Sequence, residues 1–171
     1  MQKILGISCD HNDKPLIQLV LDLLHAQNKT LAVAESCTGG GICKLLTDLP
    51  GVSDVFGFGF VTYANEAKEK LLGVSRETIL RFGAVSEQCA KEMADGALAN
   101  SGAGVAVAVT GIAGPGSDNT NKPVGLIFLH ATDGKKAKQL KLETGSDDRN
   151  HNRATAATQA LELVKQILIE V

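Results

Sequence analysis

Tryptophan is absent from the 171 residues, Tyr63 is the only tyrosine, and aromatic residues together make up 4% of the chain. A surface that stacks single-stranded bases needs more rings than that. An excess of positive charge is also missing: 17 Lys and Arg stand against 19 Asp and Glu, a net charge of -2, which leaves no electrostatic footprint for a nucleic-acid duplex. No apolar run approaches the roughly 20 residues that cross a bilayer, and the start MQKILGISCDHNDK lacks the long apolar core of an export signal. Neither a membrane nor a nucleic-acid partner is expected. The four cysteines, Cys9, Cys37, Cys43 and Cys89, form no C-x-x-C pair and are too few for a disulfide framework at this length. Reduced thiols and a cytoplasmic location are the expectation. His11, His25, His130 and His151 have no zinc-site spacing and none adjoins a glycine-rich loop, so no metal is expected and a Ser-His-Asp triad has no base. The P-loop, the G-x-G-x-x-G fingerprint and the G-x-S-x-G elbow are missing as well.

What is present is a chain of 44% hydrophobic and 21% charged residues, enough to bury one core, and residues 1–171 read as a single domain. Ile17, Val20, Leu21 and Leu24, behind Pro15, predict an amphipathic helix over about 14–27. Thr30 to Ala34 and Val105 to Val109 are apolar runs without polar alternation, which suits strands covered on both faces, and their alanines predict layers pressed closely against both sides. A short helix near 40–47, the stretch FGFGFVTY at 56–63, a helix capped by Asn65 and a helix opening at Ser86-Glu87 lie between them. Val124 to Thr132 and Lys136 to Thr144 predict a hairpin around Asp133-Gly134. A final helix over about 148–169 carries the stripe Ala154, Ala157, Leu161, Val164 and Leu168. Alternating helices and strands followed by a local hairpin predict an α/β/α sandwich with a mixed, mostly parallel sheet.

Both buried strands end in glycine-rich turns, ESCTGGG and TGIAGPG, and open α/β sheets bind ligands outside the carboxyl ends of their strands. Ser36 follows the first strand directly, and Gly39, Gly40 and Gly41 let backbone amides approach an anion or oxyanion at a helix start. The serine reads as a nucleophile or as a helix cap. A base for it is offered by Lys68, if burial lowers its pKa, although a helix lysine also reads as solvated. Tyr63 reads as a site residue or as a core aromatic with a satisfied hydroxyl. Arg149 and Arg153 sit one turn apart at the start of the last helix, where they and the helix amides read as a phosphate site, or as charges neutralised by Asp147 and Asp148.

The strings AESCTGGGICKLLTDLPG, GFVTYANEAKEKLLGV, FGAVSEQCAKEMADGA, VAVTGIAGPG followed by KPVG, and DDRNHNR before ATAATQAL resemble the CinA C-terminal-domain family, whose single-domain members are nicotinamide-nucleotide amidases. The resemblance runs over about 30–165 in the same order. It implies a hydrolase that converts nicotinamide mononucleotide to nicotinate mononucleotide and ammonia without metal or cofactor, in pyridine nucleotide recycling. Carried over by motif, Ser36 would be the nucleophile, Lys68 would take its proton, and Tyr63 would orient or assist the lysine. Thr110 would lie on the facing loop, with Gly111 and nearby amides holding substrate or oxyanion. Thr38, Gly39 and Gly40 would contact substrate, and Arg149 and Arg153 would bind the phosphate. The resemblance also implies a dimer or larger homo-oligomer. The family's Gly-Asp-Arg appears here as Asp147-Asp148-Arg149, and Gly41 and Cys43 are extra, which would shift the phosphate subsite without removing it. Many relatives carry a further N-terminal domain resembling molybdopterin-binding proteins, for which a chain of this length is expected to have no room. Two other functions remain open at this point, a nucleotide-binding module without chemistry and a Ser-Lys hydrolase of another amide. A narrower alternative makes Cys37 the nucleophile, its pKa lowered by the helix start.

Overall fold

A computed structural model describes residues 14–116 and 121–170; Cys9 and His11 lie outside them. In chain order the elements are α1 (Lys14–Ala26), β1 (Leu31–Glu35), α2 (Gly41–Thr47), a 3-10 turn (Val52–Asp54), β2 (Phe56–Val61), α3 (Asn65–Leu72), α4 (Arg76–Phe82), α5 (Glu87–Ser101), β3 (Val105–Gly111), β4 (Leu126–Thr132), β5 (Ala137–Glu143) and α6 (Arg149–Ile169). The five strands form one sheet in the order β2-β1-β3-β4-β5. β1 is parallel to both β2 and β3, while β4 is antiparallel to β3 and to β5. Four strands therefore share a direction and β4 alone opposes them. This is the expected three-layer α/β/α arrangement with a mixed sheet.

Side-chain size divides the two faces. On β1 and β3, Leu31, Val33, Val105, Val107 and Val109 pack with α1, α2 and α6, whereas Ala32, Ala34, Ala106 and Ala108 face Met93, Ala94 and Ala97 of α5 and Leu72 of α3. The alanines thus serve one layer rather than both, because successive residues on a strand point to opposite faces. The thin face brings backbones together: a Cβ on Gly96 of α5 would lie 1.8 Å from the Leu72 carbonyl oxygen at the end of α3. The α3–α5 spacing requires glycine at that point.

Two local expectations need correction. Asn65 does not cap α3: it is the first residue of the helix, and Ala64, which has no side-chain acceptor, holds the cap position. The helix expected to open near Asn65 is present and ends where Gly73 turns left-handed at φ +66°; a further helix, α4, follows, capped by Ser75 through the Glu77 amide. Ala154 of the final stripe is only half-buried, and the inner face instead carries Asn152, Ala156, Ala157, Ala160 and Leu161. Ser86 does cap α5, accepting from the Cys89 amide.

His130 on β4 is buried among these layers with neither ring nitrogen hydrogen-bonded. Burial holds its pKa below the ordinary 6.5; Asp95 and Glu87 of α5 pull it up and Lys91 pushes it down. The folded state therefore resists protonation that the unfolded chain accepts, and stability contributed by the neutral ring is lost as pH falls below about 6.5. Thermal unfolding is expected to drop more between pH 7.5 and pH 5 for the parent chain than for His130→Leu. Equal drops would rule out this residue as the acid-sensitive group.

Candidate active site

The glycine loops after β1 and β3 lie side by side, because β1 and β3 are neighbours and Glu35 pairs with Val109. The Ser36 amide donates to the Val109 carbonyl at 3.0 Å, so the ladder continues one residue past the strand and sets the serine at the sheet's carboxyl edge. A cavity of about 380 Å³ opens there. Ser36 and Cys37 from the first loop, Thr110, Gly111 and Ala113 from the second, and Tyr63, Lys68, Lys122 and Arg149 all reach its wall.

Lys68 is the largest fully buried side chain, 1% exposed, and no carboxylate among the described residues pairs with it. Its Nζ lies 3.1 Å from Ser36 Oγ, 2.7 Å from the Thr62 carbonyl and 3.3 Å from the Tyr63 carbonyl. Burial lowers its pKa from 10.5, with opposing contributions from Cys89 and Cys37. Two of the three partners can only accept, while the third, a hydroxyl, can donate. Three acceptors surround Nζ, and the lowered pKa favours the neutral amine, whose lone pair can then face the Ser36 hydroxyl while two N–H groups stay on the carbonyls. The solvated-lysine reading of Lys68 is overturned. Ser36 is likewise no helix cap, since Gly40 occupies the cap of α2.

The helix start beside Ser36 is already filled. Glu35, fully buried, accepts from the amides of Gly40 at 2.9 Å, Ile42 at 3.1 Å and Cys43 at 2.9 Å. The Gly39 amide donates to the Ser36 carbonyl and the Gly41 amide to that of Thr38. The anion cradle expected on this loop is thus taken up from within, the Gly40 amide by the carboxylate of Glu35, the last residue of β1, and the Gly39 amide by the Ser36 carbonyl. The amide of Cys37 donates to no oxygen among the described residues. The Cys37 thiol is buried and pushed up to about 12 by desolvation, with Glu35 adding to the shift, so the helix start does not activate it and the thiolate alternative loses its basis.

Tyr63 is no core aromatic: it is 61% exposed at the cavity mouth. Its phenol oxygen accepts from Arg149 Nη2 at 3.2 Å, and Arg149 Nη1 donates to the Gly114 carbonyl at 2.7 Å. Arg153 points elsewhere and donates through Nε at 3.2 Å and Nη2 at 2.6 Å to the Thr38 carbonyl. The amides at the start of α6 are also taken, those of Asn150 and His151 by the Asp148 side chain and that of Asn152 by its carbonyl. Thr110 Oγ1 donates to the Ala84 carbonyl at 2.8 Å and thereby anchors the opposite wall.

Glu35, Asn152 and Lys122 were not singled out in the sequence. Asn152, fully buried, ties α6 to the second loop by donating to the Ala113 and Ser146 carbonyls. Its signal is a polar residue on the apolar face of a helix. Glu35 carries a similar signal, a carboxylate closing an apolar strand just before a helix start. Lys122 Nζ donates to the carbonyls of Phe82 and Val85 and so ties down the wall that Thr110 also holds.

A buried serine–lysine contact thus lies at the carboxyl edge of an α/β/α sheet. The sequence profile of the CinA C-terminal domain matches residues 13–168. A CinA-like protein of Thermotoga neapolitana is 43% identical over 159 residues, covering 93% of this chain and 38% of that protein. The chain spans about two fifths of the length of the curated relatives it matches. Among solved structures, the competence/damage inducible protein CihA from Agrobacterium tumefaciens superposes with a TM-score of 0.87 at 39% identity, over 98% of this chain and 99% of that one. A CinA superfamily protein from Klebsiella pneumoniae gives 0.89 at 30% identity, over 94% and 100%. The chain belongs to the CinA C-terminal domain family.

Removing the carboxylate that holds three amides leaves them without an internal acceptor. Glu35→Ala is expected to lose about 3 kcal/mol or more, read by denaturant unfolding. A loss under about 1 kcal/mol would show that water replaces the carboxylate at no cost.

Proposed function

We propose that the protein is a Ser-Lys amidohydrolase that converts nicotinamide mononucleotide and water to nicotinate mononucleotide and ammonia. The observation that carries this reading is the contact of Lys68 Nζ with Ser36 Oγ in a buried setting that favours the neutral amine. Lys68 takes the Ser36 proton as Oγ bonds to the carboxamide carbon. The amide of Cys37, which donates to no oxygen among the described residues, and the backbone at Gly111, both on the cavity wall, would hold the oxyanion. The lysine ammonium returns its proton to the amide nitrogen, the C–N bond breaks, and ammonia leaves an ester on Ser36. Water attacks that ester with Lys68 again as base, which frees the carboxylate product and restores the serine.

The substrate class is supported by charge. Lys122 and Arg149 reach the cavity wall and no Asp or Glu among the described residues does, which favours an anionic substrate. Arg149 stands at the mouth, held by Tyr63 and the Gly114 carbonyl, where a planar guanidinium suits a phosphate. Tyr63 acts twice, its carbonyl aiming the Lys68 amine and its phenol steadying Arg149.

Ammonia release from nicotinamide mononucleotide is the first test, with nicotinamide riboside beside it. Turnover of the phosphorylated substrate alone is expected, and Ser36→Ala and Lys68→Met should each reduce it roughly 10²- to 10⁴-fold. Binding without turnover would move the assignment to a nucleotide-binding module. Because only the neutral lysine can accept the serine proton, kcat/KM should rise with pH through the loss of one proton, with a midpoint below the ordinary lysine value of 10.5. A profile that falls over that range would remove Lys68 as the base.

A further inference from the structure

We propose that the two arginines of α6 divide their work: Arg153 is a positioning residue that fixes the nucleophile loop through the Thr38 carbonyl, and Arg149 alone meets the substrate's anion. The substrate half of this statement rests on the amidase reading; the loop half does not.

The loop after β1 contains three consecutive glycines, and Gly39 and Gly40 both take positive φ, +59° and +94°. Glycines supply the turn but add conformational freedom, so restraint has to come from outside the loop. Glu35 holds its far end, at the amides of Gly40, Ile42 and Cys43. The near end, which carries Ser36, is held from α6. Arg153 places Nε and Nη2 on one oxygen, the Thr38 carbonyl, which also accepts from the Gly41 amide at 3.2 Å. The other side of the same peptide, the Gly39 amide, donates to the Ser36 carbonyl at 3.1 Å. A chain of hydrogen bonds therefore runs from the guanidinium through the Thr38–Gly39 peptide to the backbone of the nucleophile. A cation on the carbonyl end polarises that peptide and strengthens its N–H as a donor. With the Ser36 amide fixed on Val109 and its carbonyl fixed by Gly39, Oγ is aimed at the Lys68 amine.

Arg153 does not reach the cavity wall, whereas Arg149 does. The spacing of four residues puts both on one side of α6, but the Arg153 guanidinium ends on the Thr38 carbonyl of the loop and the Arg149 guanidinium on Tyr63 and the Gly114 carbonyl.

The test compares Arg153→Gln, Arg153→Lys and Arg149→Gln in steady-state kinetics with nicotinamide mononucleotide, and in the rate at which a fluorophosphonate phosphonylates Ser36 with loss of fluoride. Arg153→Gln is expected to lower kcat about 10²-fold with KM within about threefold, and to slow phosphonylation in parallel. Arg153→Lys, which keeps one donor for the carbonyl, should recover part of both losses. Arg149→Gln should raise KM about tenfold or more and slow phosphonylation less than Arg153→Gln does. A rise in KM for Arg153→Gln equal to that of Arg149→Gln, with kcat kept, would overturn the division; so would unchanged kcat and phosphonylation. If Arg153→Gln does not fold, the same split read in Arg153→Lys decides. If the parent chain releases no ammonia, the amidase reading falls and the phosphonylation rates alone decide the role of Arg153.

Discussion

A lysine amine without a counter-ion, buried against a serine hydroxyl and two backbone carbonyls, is the constraint around which this structure is arranged. Placing an ammonium group there would cost far more than placing an amine, and the described surroundings supply two carbonyls and a hydroxyl but no carboxylate. The end of β2 and the start of α3 accommodate this amine: the chain turns at Thr62 and Tyr63 so that consecutive carbonyls point at Nζ, and the helix begins without a side-chain cap. Local helix stability yields here to the placement of one polar group.

The depth of that amine is set by the opposite end of α3. Leu72 rests on the backbone of α5 at Gly96, and α5 rests in turn on the alanine face of β1 and β3. The valine face carries the bulk of the core with α1 and α6. One face thus supplies most of the apolar burial, while the other is kept thin so that a helix can deliver a long side chain to the sheet's edge. The serine side follows the same logic with polar groups: Glu35 neutralises the start of α2 from within, and a glycine-rich loop is held in one shape.

Much of the architecture was legible because it rests on local patterns: the apolar runs of β1 and β3, the Asp133-Gly134 hairpin, and the spacing in α1 and α6. The pairing of Ser36 with Lys68 was legible only as two candidates that a family resemblance joined, since nothing in spacing says that residues 32 positions apart meet. The destination of the backbone amides was not legible. A glycine-rich loop before a helix reads as an empty anion site, and only the fold reveals that the preceding glutamate turns back to fill it. The two arginines were misleading for a related reason. Their shared face predicts a shared ligand, yet Arg153 is bound to the nucleophile loop and Arg149 to the cavity mouth.

The single tyrosine of the chain stands at the mouth of the cavity with its phenol on Arg149. No tryptophan is present to mask it. The ultraviolet emission of the whole protein therefore originates chiefly from one ring at the entrance to the site, so the molecule carries its own optical reporter of what enters and leaves.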